Sequence, residues 1–467
     1  MIAAVTLAET RALLRDGRLW GLGLALMLLF VVMLATASQQ RQRAEQERHQ
    51  VELAARAQWD HQGEKHPHRA AHFGLYAFKP RSALASLDPG IDAHAGQALW
   101  LEPHKRNLAL FAPAVDAAPS LGLGDPVPAF ILLALVPLLV VLLGHGSVTR
   151  ERETDTLRML HACGMPGRPL LVGKWLGLSA GLAIVLAPAL AMGAWLIVDR
   201  HNVLQAALLL AALVTYLGIW AALTVLVSAR CQTSRGALLV LIALWVGAVF
   251  VVPRLGAAIV ERIDPLPTGE AFWSAIHRDI EQGLPGDSDA RQRLKAFDAR
   301  LLTEHGVTRP EDLPVGANAR RRLFRDAYAT RIHALHFSRL WNTQLRQQAL
   351  LRGLTAVSPF PAMQGVSAAL AGTDLAHRRD FEDAAERYRQ RFTTLMDEWD
   401  AQATRGVVSY ETRYAGDAQW QAMPPLRYAA PGVRFALNAA GPDFGVLALW
   451  LAAALGGLLL SARKLTP

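Results

Sequence analysis

Uncharged apolar residues gather into six long runs along the chain, at 19–36, 127–144, 175–198, 203–229, 236–252 and 444–462. Each approaches the ~20 residues a helix needs to cross a hydrocarbon core about 30 Å thick, so six transmembrane helices are expected. The fifth run is the shortest and fits either a span or a buried, re-entrant helix. Trp245 and the flanking Arg235 and Arg254 favour a span with interfacial anchors. Ahead of the first run, Ile2, Val5, Leu7, Leu13 and Leu14 alternate with Glu9, Arg11 and Arg15. That pattern suits a helix lying in the membrane interface or a plain continuation of the first span. The first run ends in Ala35-Thr36-Ala37, an A-x-A pattern, but it is longer than a usual signal-peptide core and is read as a span.

Lys and Arg flank the runs unevenly. Arg11, Arg15 and Arg18 precede the first; Arg150, Arg152, Arg158, Arg168 and Lys174 follow the second; Arg230 and Arg235 separate the fourth and fifth; Arg463 and Lys464 follow the last. The positive-inside rule places these four segments, and therefore both termini, in the cytoplasm. Two large segments then lie outside, near 39–126 and 253–442, which are expected to pack together into one mostly helical domain. In the second, Phe381, Ala385, Tyr388, Phe392, Leu395 and Trp399 recur at intervals of four and three, the seam of a long helix. Phe324, Tyr328, Ile332 and Leu335 repeat the theme, while 404–440, with Pro424, Pro425 and Pro431, reads as an extended return chain. The expected fold class is an all-α polytopic membrane protein of six transmembrane helices carrying a large extracytoplasmic domain. Its units are 1–38, 39–126, 127–252 with a cytoplasmic loop at 145–174, 253–442, and 443–467.

Composition agrees with that division. Of 467 residues 52% are hydrophobic and 19% charged, below the ~25% charged of a soluble chain. The net charge of +9 is explained by basic loops beside the spans, and no nucleic-acid partner is expected. The two cysteines, Cys163 and Cys231, fall in cytoplasmic loops, which excludes a disulfide scaffold and a four-cysteine zinc site.

The most informative stretch is the cytoplasmic loop from Arg150 to Pro166. Asp155 is placed to cap a short helix, Gly164 to end it and Pro166 to prevent its continuation. Such a helix presents Leu157, Leu160 and Cys163 on one face, enough to dock on a partner but too little for a core. The order of elements, Glu151–Glu153, Thr156-Leu157, Met165-Pro166 and Gly173-Lys174, resembles the coupling loop of ABC type-two permeases, with Asp155 where that pattern has Gly. The stretches His66-Pro67-His68, Ala71-His72-Phe73-Gly74, Leu101-Glu102-Pro103-His104, Ser358-Pro359-Phe360 and Gly372-Thr373-Asp374 resemble a subfamily of these permeases defined by a domain of unknown function. That subfamily is similar to permeases of copper-enzyme maturation and gliding. The resemblance implies a transport subunit of the bacterial inner membrane, with Glu151, Glu153, Asp155, Thr156, Leu157, Leu160, Gly164 and Pro166 coupling it to a cytoplasmic ATPase. It also implies a second permease, identical or related, with lipids around the pair and room for a periplasmic partner. Export is the default direction and import stays open.

Gly167 to Trp175 fails as a phosphate-binding loop. Five residues separate its glycines, Trp175 stands where a hydroxyl is needed, and no strand precedes it. The chain is therefore expected to carry no cofactor and no catalysis of its own, ATP and Mg being bound by the partner ATPase. His61, Glu64, His66, His68 and His72 lie within twelve residues and could bind zinc or copper. Pro67 interrupts helical pairing between His68 and the earlier ligands, so the four histidines His61, His66, His68 and His72 read more readily as a polar turn. No charged residue lies centrally in any span; Pro137 and Pro188 can kink two of them, and Ser179, Thr215, Tyr216 and Thr224 can bond between helices. Two rivals to the transporter are a membrane-anchored sensor and a metal-handling protein, each using the large outer domain. The first lacks a cytoplasmic signalling domain and the second does not need six spans.

Overall fold

The computed structural model describes residues 1–96, 98–107 and 127–465. It is 76% helical, and among the described residues six helices are long and apolar enough to cross a membrane: Gly17–Asp60, Pro128–Glu153, Gly167–Ile197, Val203–Arg230, Ser234–Ile263 and Val433–Arg463. The architecture is that of an all-α polytopic membrane protein. Each expected run sits inside one of these helices to within one residue at its ends. The fifth is one of the least covered by the rest of the chain, a span rather than a buried re-entrant segment.

Helix α1 (Ile2–Leu14) is separated from α2 (Gly17–Asp60) by a break at Arg15 and Asp16, where the Asp16 carboxylate accepts from the Arg18 amide at 2.9 Å. Helix α2 is 44 residues long, about 66 Å at ~1.5 Å per residue, roughly twice a hydrocarbon core. The sequence reading stopped this unit at 38. The helix continues because 39–60 holds no Gly or Pro, is rich in Gln, Arg, Ala and Glu, and is braced by Arg48–Glu52 and Arg56–Asp60 pairs at i,i+4.

A short helix α3 (Pro67–Phe73) and a hairpin of β1 (Leu75–Phe78) and β2 (Ala98–Leu101) follow, with Leu75 opposite Leu101 and Phe78 opposite Ala98. The hairpin was absent from the sequence reading. Gly74, at φ 73°, lets it start, since a Cβ there would stand 2.0 Å from Nε1 of Trp100.

The remaining spans pack around α7 and α8. Helix α4 (Val136–Gly144) is preceded by a π-helical stretch, Ile131–Leu135, and leads to α5 (Thr149–Glu153) and α6 (Thr156–Ala162). Next come α7 (Gly167–Ile197), α8 (Val203–Arg230) and α9 (Ser234–Val246), the last continued through a π stretch, Gly247–Val251, into α10 (Val252–Ile263). Both π stretches adjoin a proline. Pro137 has no N–H for the Leu133 carbonyl four residues back, and the Tyr216 hydroxyl donates to that carbonyl instead, at 2.7 Å. Ala248 O, five residues before Pro253, accepts from Ser358 Oγ at 2.9 Å. Trp245, expected at the interface, donates to Ala134 O at 2.9 Å within the bundle. Ser179 and Thr224 pack without hydroxyl partners.

Helix α1 runs beside the first half of α7 in the same direction. Gly173, Gly177 and Gly181 present one stripe of α7, and a Cβ on each would meet Val5, Glu9 and Leu13 respectively, all within 3.1 Å. Small residues at every fourth position let the two backbones approach. Helix α1 thus packs along α7 but is set off from α2 by the break at Arg15 and Asp16, so it is not an unbroken continuation of the first span.

The large domain is built from α11 (Gly269–Gln282), α12 (Ala290–His305), α13 (Ala317–Thr355), α14 (Pro359–Ala371), α15 (Leu375–Ala403) and α16 (Asp417–Gln421). It packs on the far half of α2, where Trp59 is buried against Phe392 and Trp420 and donates to Trp420 O at 2.9 Å. The final helix α17 (Val433–Arg463) begins ten residues before the position expected for the last unit. Helix α14 dips back among the spans: Phe360, Met363, Val366 and Leu370 join the core formed by α8 and α17.

The seam of α15 departs from its expected course at three positions, with Arg389, Met396 and Asp400 buried where Tyr388, Leu395 and Trp399 were expected. Phe381, Ala385 and Phe392 are buried, but Leu395 is exposed and Met396 takes its place. Among the buried positions, 378, 381, 385, 389, 392, 396 and 400 form one stripe with a period of about 3.67, close to the 3.6 of a straight helix and unlike the 3.5 of a left-handed coiled coil.

Candidate functional site

Two groups of residues singled out by sequence lie at opposite ends of the molecule. The loop 145–166 is folded tightly against the ends of the spans. Ser228 Oγ accepts from the amides of Val148 and Thr149 at 3.0 and 3.2 Å, and Arg152 donates to Cys231 O at 2.5 Å. Glu153 accepts from the Ser234 amide and hydroxyl at 2.7 and 2.8 Å, fixing the start of α9. Glu151 pairs at 2.7 Å with Lys174, which is buried at the base of α7 and also reaches Glu9 of α1 at 3.1 Å. The two acidic candidates therefore hold the loop to three different helices.

The short helix α6 forms where expected, yet its details differ. Asp155 occupies the N-cap position without a capping bond; it adopts a left-handed backbone, φ 56° and ψ 5°, and its side chain pairs with Arg158 at 3.2 Å. A non-glycine residue there keeps the turn that glycine would make, at a cost of about 1–2 kcal/mol. Thr156 shares a hydroxyl contact with Thr154 at 2.9 Å. At the other end, Gly164 at φ 76° donates to His161 O and Met165 donates to Leu160 O, a Schellman closure, and Pro166 starts α7.

Leu157 corrects the expected docking face. It is 0% exposed and belongs to the chain's own core, with Leu160 half-buried beside it, because α6 folds back on the bundle. The face that looks outward carries Arg158, Met159 at 66% exposure, Ala162 and Cys163.

The histidines divide into separate environments. His61 is exposed, 3.3 Å from Asp417. His66 is buried; its Nδ1 accepts from the His68 amide at 3.1 Å and caps α3, and its ring meets Tyr410 and Tyr414 edge-on. Burial lowers its pKa. Neither faces the other two. Pro67, read as a break, is the first residue of α3, and α3 places His68 and His72 one turn apart with their Nε2 atoms 3.2 Å from each other. His104, from the turn after β2, completes a triangle in which the nitrogens of all three lie within 4.8 Å. Its backbone is left-handed, φ 70°, and its Nδ1 lies 2.6 Å from Asp326 of α13. Burial pushes the His68 imidazole down to about 2, with the Arg322 charge adding to the effect, so it is neutral at physiological pH.

Next to this triangle lies a buried ionic group that the sequence reading missed. Arg322, 0% exposed, donates to Asp397 at 2.8 Å, to Asp400, and to the Tyr410 hydroxyl at 3.2 Å, and Tyr414 also donates to Asp400. Burial works against the guanidinium charge, but the two carboxylates outweigh it and raise the Arg322 pKa. Burial pushes the Asp397 carboxyl up to about 6, against the pull of Arg322. The available signal was positional: Asp397 and Asp400 sit on and beside the buried stripe of α15.

Between the spans, an apolar cleft of about 710 Å³ is lined by Phe30, Leu34, Leu186, Leu209 and Met363, with Ser179 and Ser367 among its walls. It offers no charged group to a ligand.

A protein-family profile described as a domain of unknown function, DUF3526, matches residues 269–429, which contain Arg322, Asp326, Asp397, Asp400 and Tyr410. No curated protein matches the chain.

Proposed function

We propose that the chain is the permease subunit of an ABC transporter of the type-two class, moving its substrate outward across the bacterial inner membrane. In this reading both termini and the loop 145–166 are cytoplasmic and the large domain is periplasmic. The observation that carries the proposal is α6: a two-turn helix, closed at its end by Gly164, braced through Glu151, Lys174 and Glu153 to α1, α7 and α9, and exposing Met159 and Cys163. A rigid foot of this kind passes a push from below to three helices at once, which is what an ATPase-driven permease requires. A separate cytoplasmic ATPase binds ATP and Mg, and this chain contributes no catalytic residue. The apolar surfaces left uncovered on Ser234–Ile263 and Val433–Arg463 face lipid and a second permease, identical or related.

The test is the double variant Met159→Asp/Cys163→Asp. It places two carboxylates in the contact without touching the core, a cost large enough to dissociate a micromolar complex. The expected outcome is a folded, inserted protein that no longer co-purifies with its ATPase and no longer transports. Full ATPase occupancy and normal transport in the variant would refute the coupling role of α6.

A further inference from the structure

We propose that His68, His72 and His104 form a binding site for a divalent transition-metal ion of the zinc class on the large domain, a site that stands whether or not the chain is a permease. Three observations converge on it. First, the Nε2 atoms of His68 and His72 are 3.2 Å apart. Two nitrogens bound at ~2.0–2.1 Å to one tetrahedral ion are about 3.3 Å apart, so the pair already has the spacing of one edge of a coordination tetrahedron. The i,i+4 placement on α3 puts both rings on one face.

Second, His104 is delivered from a distant part of the chain and is oriented. Its Nδ1 is held by Asp326 at 2.6 Å, which leaves Nε2 to face the ion. A carboxylate behind a ligating histidine fixes its tautomer and raises its basicity. The left-handed backbone of His104 is a second constraint at the same residue, of the kind that collects at functional positions.

Third, the donor set selects the ion. All three ligands are imidazoles, and both cysteines lie on the loop side of the bundle, away from this cluster. Imidazole donors suit zinc, copper(II) and nickel rather than magnesium or calcium. Asp326, held on His104, adds a carboxylate behind the cluster, and the nearby Arg322 is paired with Asp397 and Asp400. His72 is exposed, so a fourth position opens to solvent or to an incoming ligand.

The experiment uses the full chain, purified in detergent, stripped with a chelator and titrated with Zn²⁺ against a chromophoric competitor, and separately with Co²⁺ as an optical probe. The expected result is one ion per chain and a Co²⁺ spectrum with tetrahedral ligand-field bands. His72→Gln and His104→Gln should each weaken Zn²⁺ binding about 100-fold, and Asp326→Asn about 10–100-fold. His61→Gln, an exposed histidine outside the cluster, should leave the affinity unchanged. Substoichiometric zinc, a Co²⁺ spectrum without tetrahedral bands, or full affinity in the His72→Gln/His104→Gln double variant would overturn the proposal. So would an equal loss in His61→Gln, which marks adventitious binding by surface histidines.

Discussion

Replacing Arg322 by Met tests whether its ionic group holds the large domain together. The guanidinium is 0% exposed and compensates two carboxylates, Asp397 and Asp400, that are themselves buried on α15. Methionine fills similar volume, so the perturbation is the lost charge rather than a cavity. Removing one partner of a buried ion pair costs about 3–5 kcal/mol, because the remaining charges stay desolvated and unpaired. For a domain of this size each kcal/mol moves the melting temperature by about 2–4 °C, so a fall of roughly 6–20 °C is expected. The assay is thermal unfolding of the solubilised chain followed by tryptophan fluorescence, to which Trp59 and Trp420 beside α15 contribute among the twelve tryptophans.

The pH dependence separates charge from packing. Asp397 titrates at about 6 in the folded wild type, above its ordinary value. Without Arg322 the Asp397 carboxyl rises further in the folded state, which then binds more protons than the unfolded chain. The stability contributed by this group is greatest at low pH and is lost as pH rises through its folded pKa. The deficit of Arg322→Met should therefore shrink between about pH 7 and about pH 5. The variant Arg322→Met/Asp397→Leu/Asp400→Leu, which removes all three charges, should recover much of the lost stability. A deficit below about 1 kcal/mol, or one equal at both pH values, would refute the argument.

Two further outcomes are expected. Gly177→Leu forces a side chain into the space of the Glu9 Cβ, 2.5 Å from where a Cβ would stand, so α1 should separate from α7 and limited proteolysis should release the N-terminal residues. Asp155→Gly should preserve ATPase retention and raise thermal stability by about 1 kcal/mol, whereas Asp155→Val should lower it, because only glycine adopts the left-handed turn at no steric cost.

The spans and the ends of α6 were legible because each rests on a local signal: an unbroken apolar run, or a Gly–Pro pair at a fixed distance from a capping position. The far half of α2 was not, since a polarity switch at residue 39 resembles an element boundary although nothing there breaks a helix. Helix α14 has too few apolar residues to be read as a span and gains its place only by docking on α8 and α17. The seam of α15 was followed through Leu395 because only apolar residues were counted. Its true members include Arg389, which pairs with Glu386 one turn back on the same helix, and Asp400, whose partner Arg322 lies far away in the sequence on α13. Two of the three clustered histidines are legible and the third is not, for the same reason: His68 and His72 are neighbours on one helix, but His104 reaches them only through the hairpin that the sequence did not announce.

Helix α2 also sets a mechanical gearing. It is unbroken from the base of the bundle to Trp59, and its foot is joined to the loop through α1, Glu9, Lys174 and Glu151. A stiff rod about 66 Å long that pivots by about 10° at one end carries its other end through about 11 Å. In the proposed permease, a displacement of ångström scale at α6 would be read out at the wall of the large domain as a movement wide enough to admit or expel a small molecule. The amplification comes from length alone, so inserting a flexible Gly-rich break near residue 40 would leave the foot intact and disconnect the stroke.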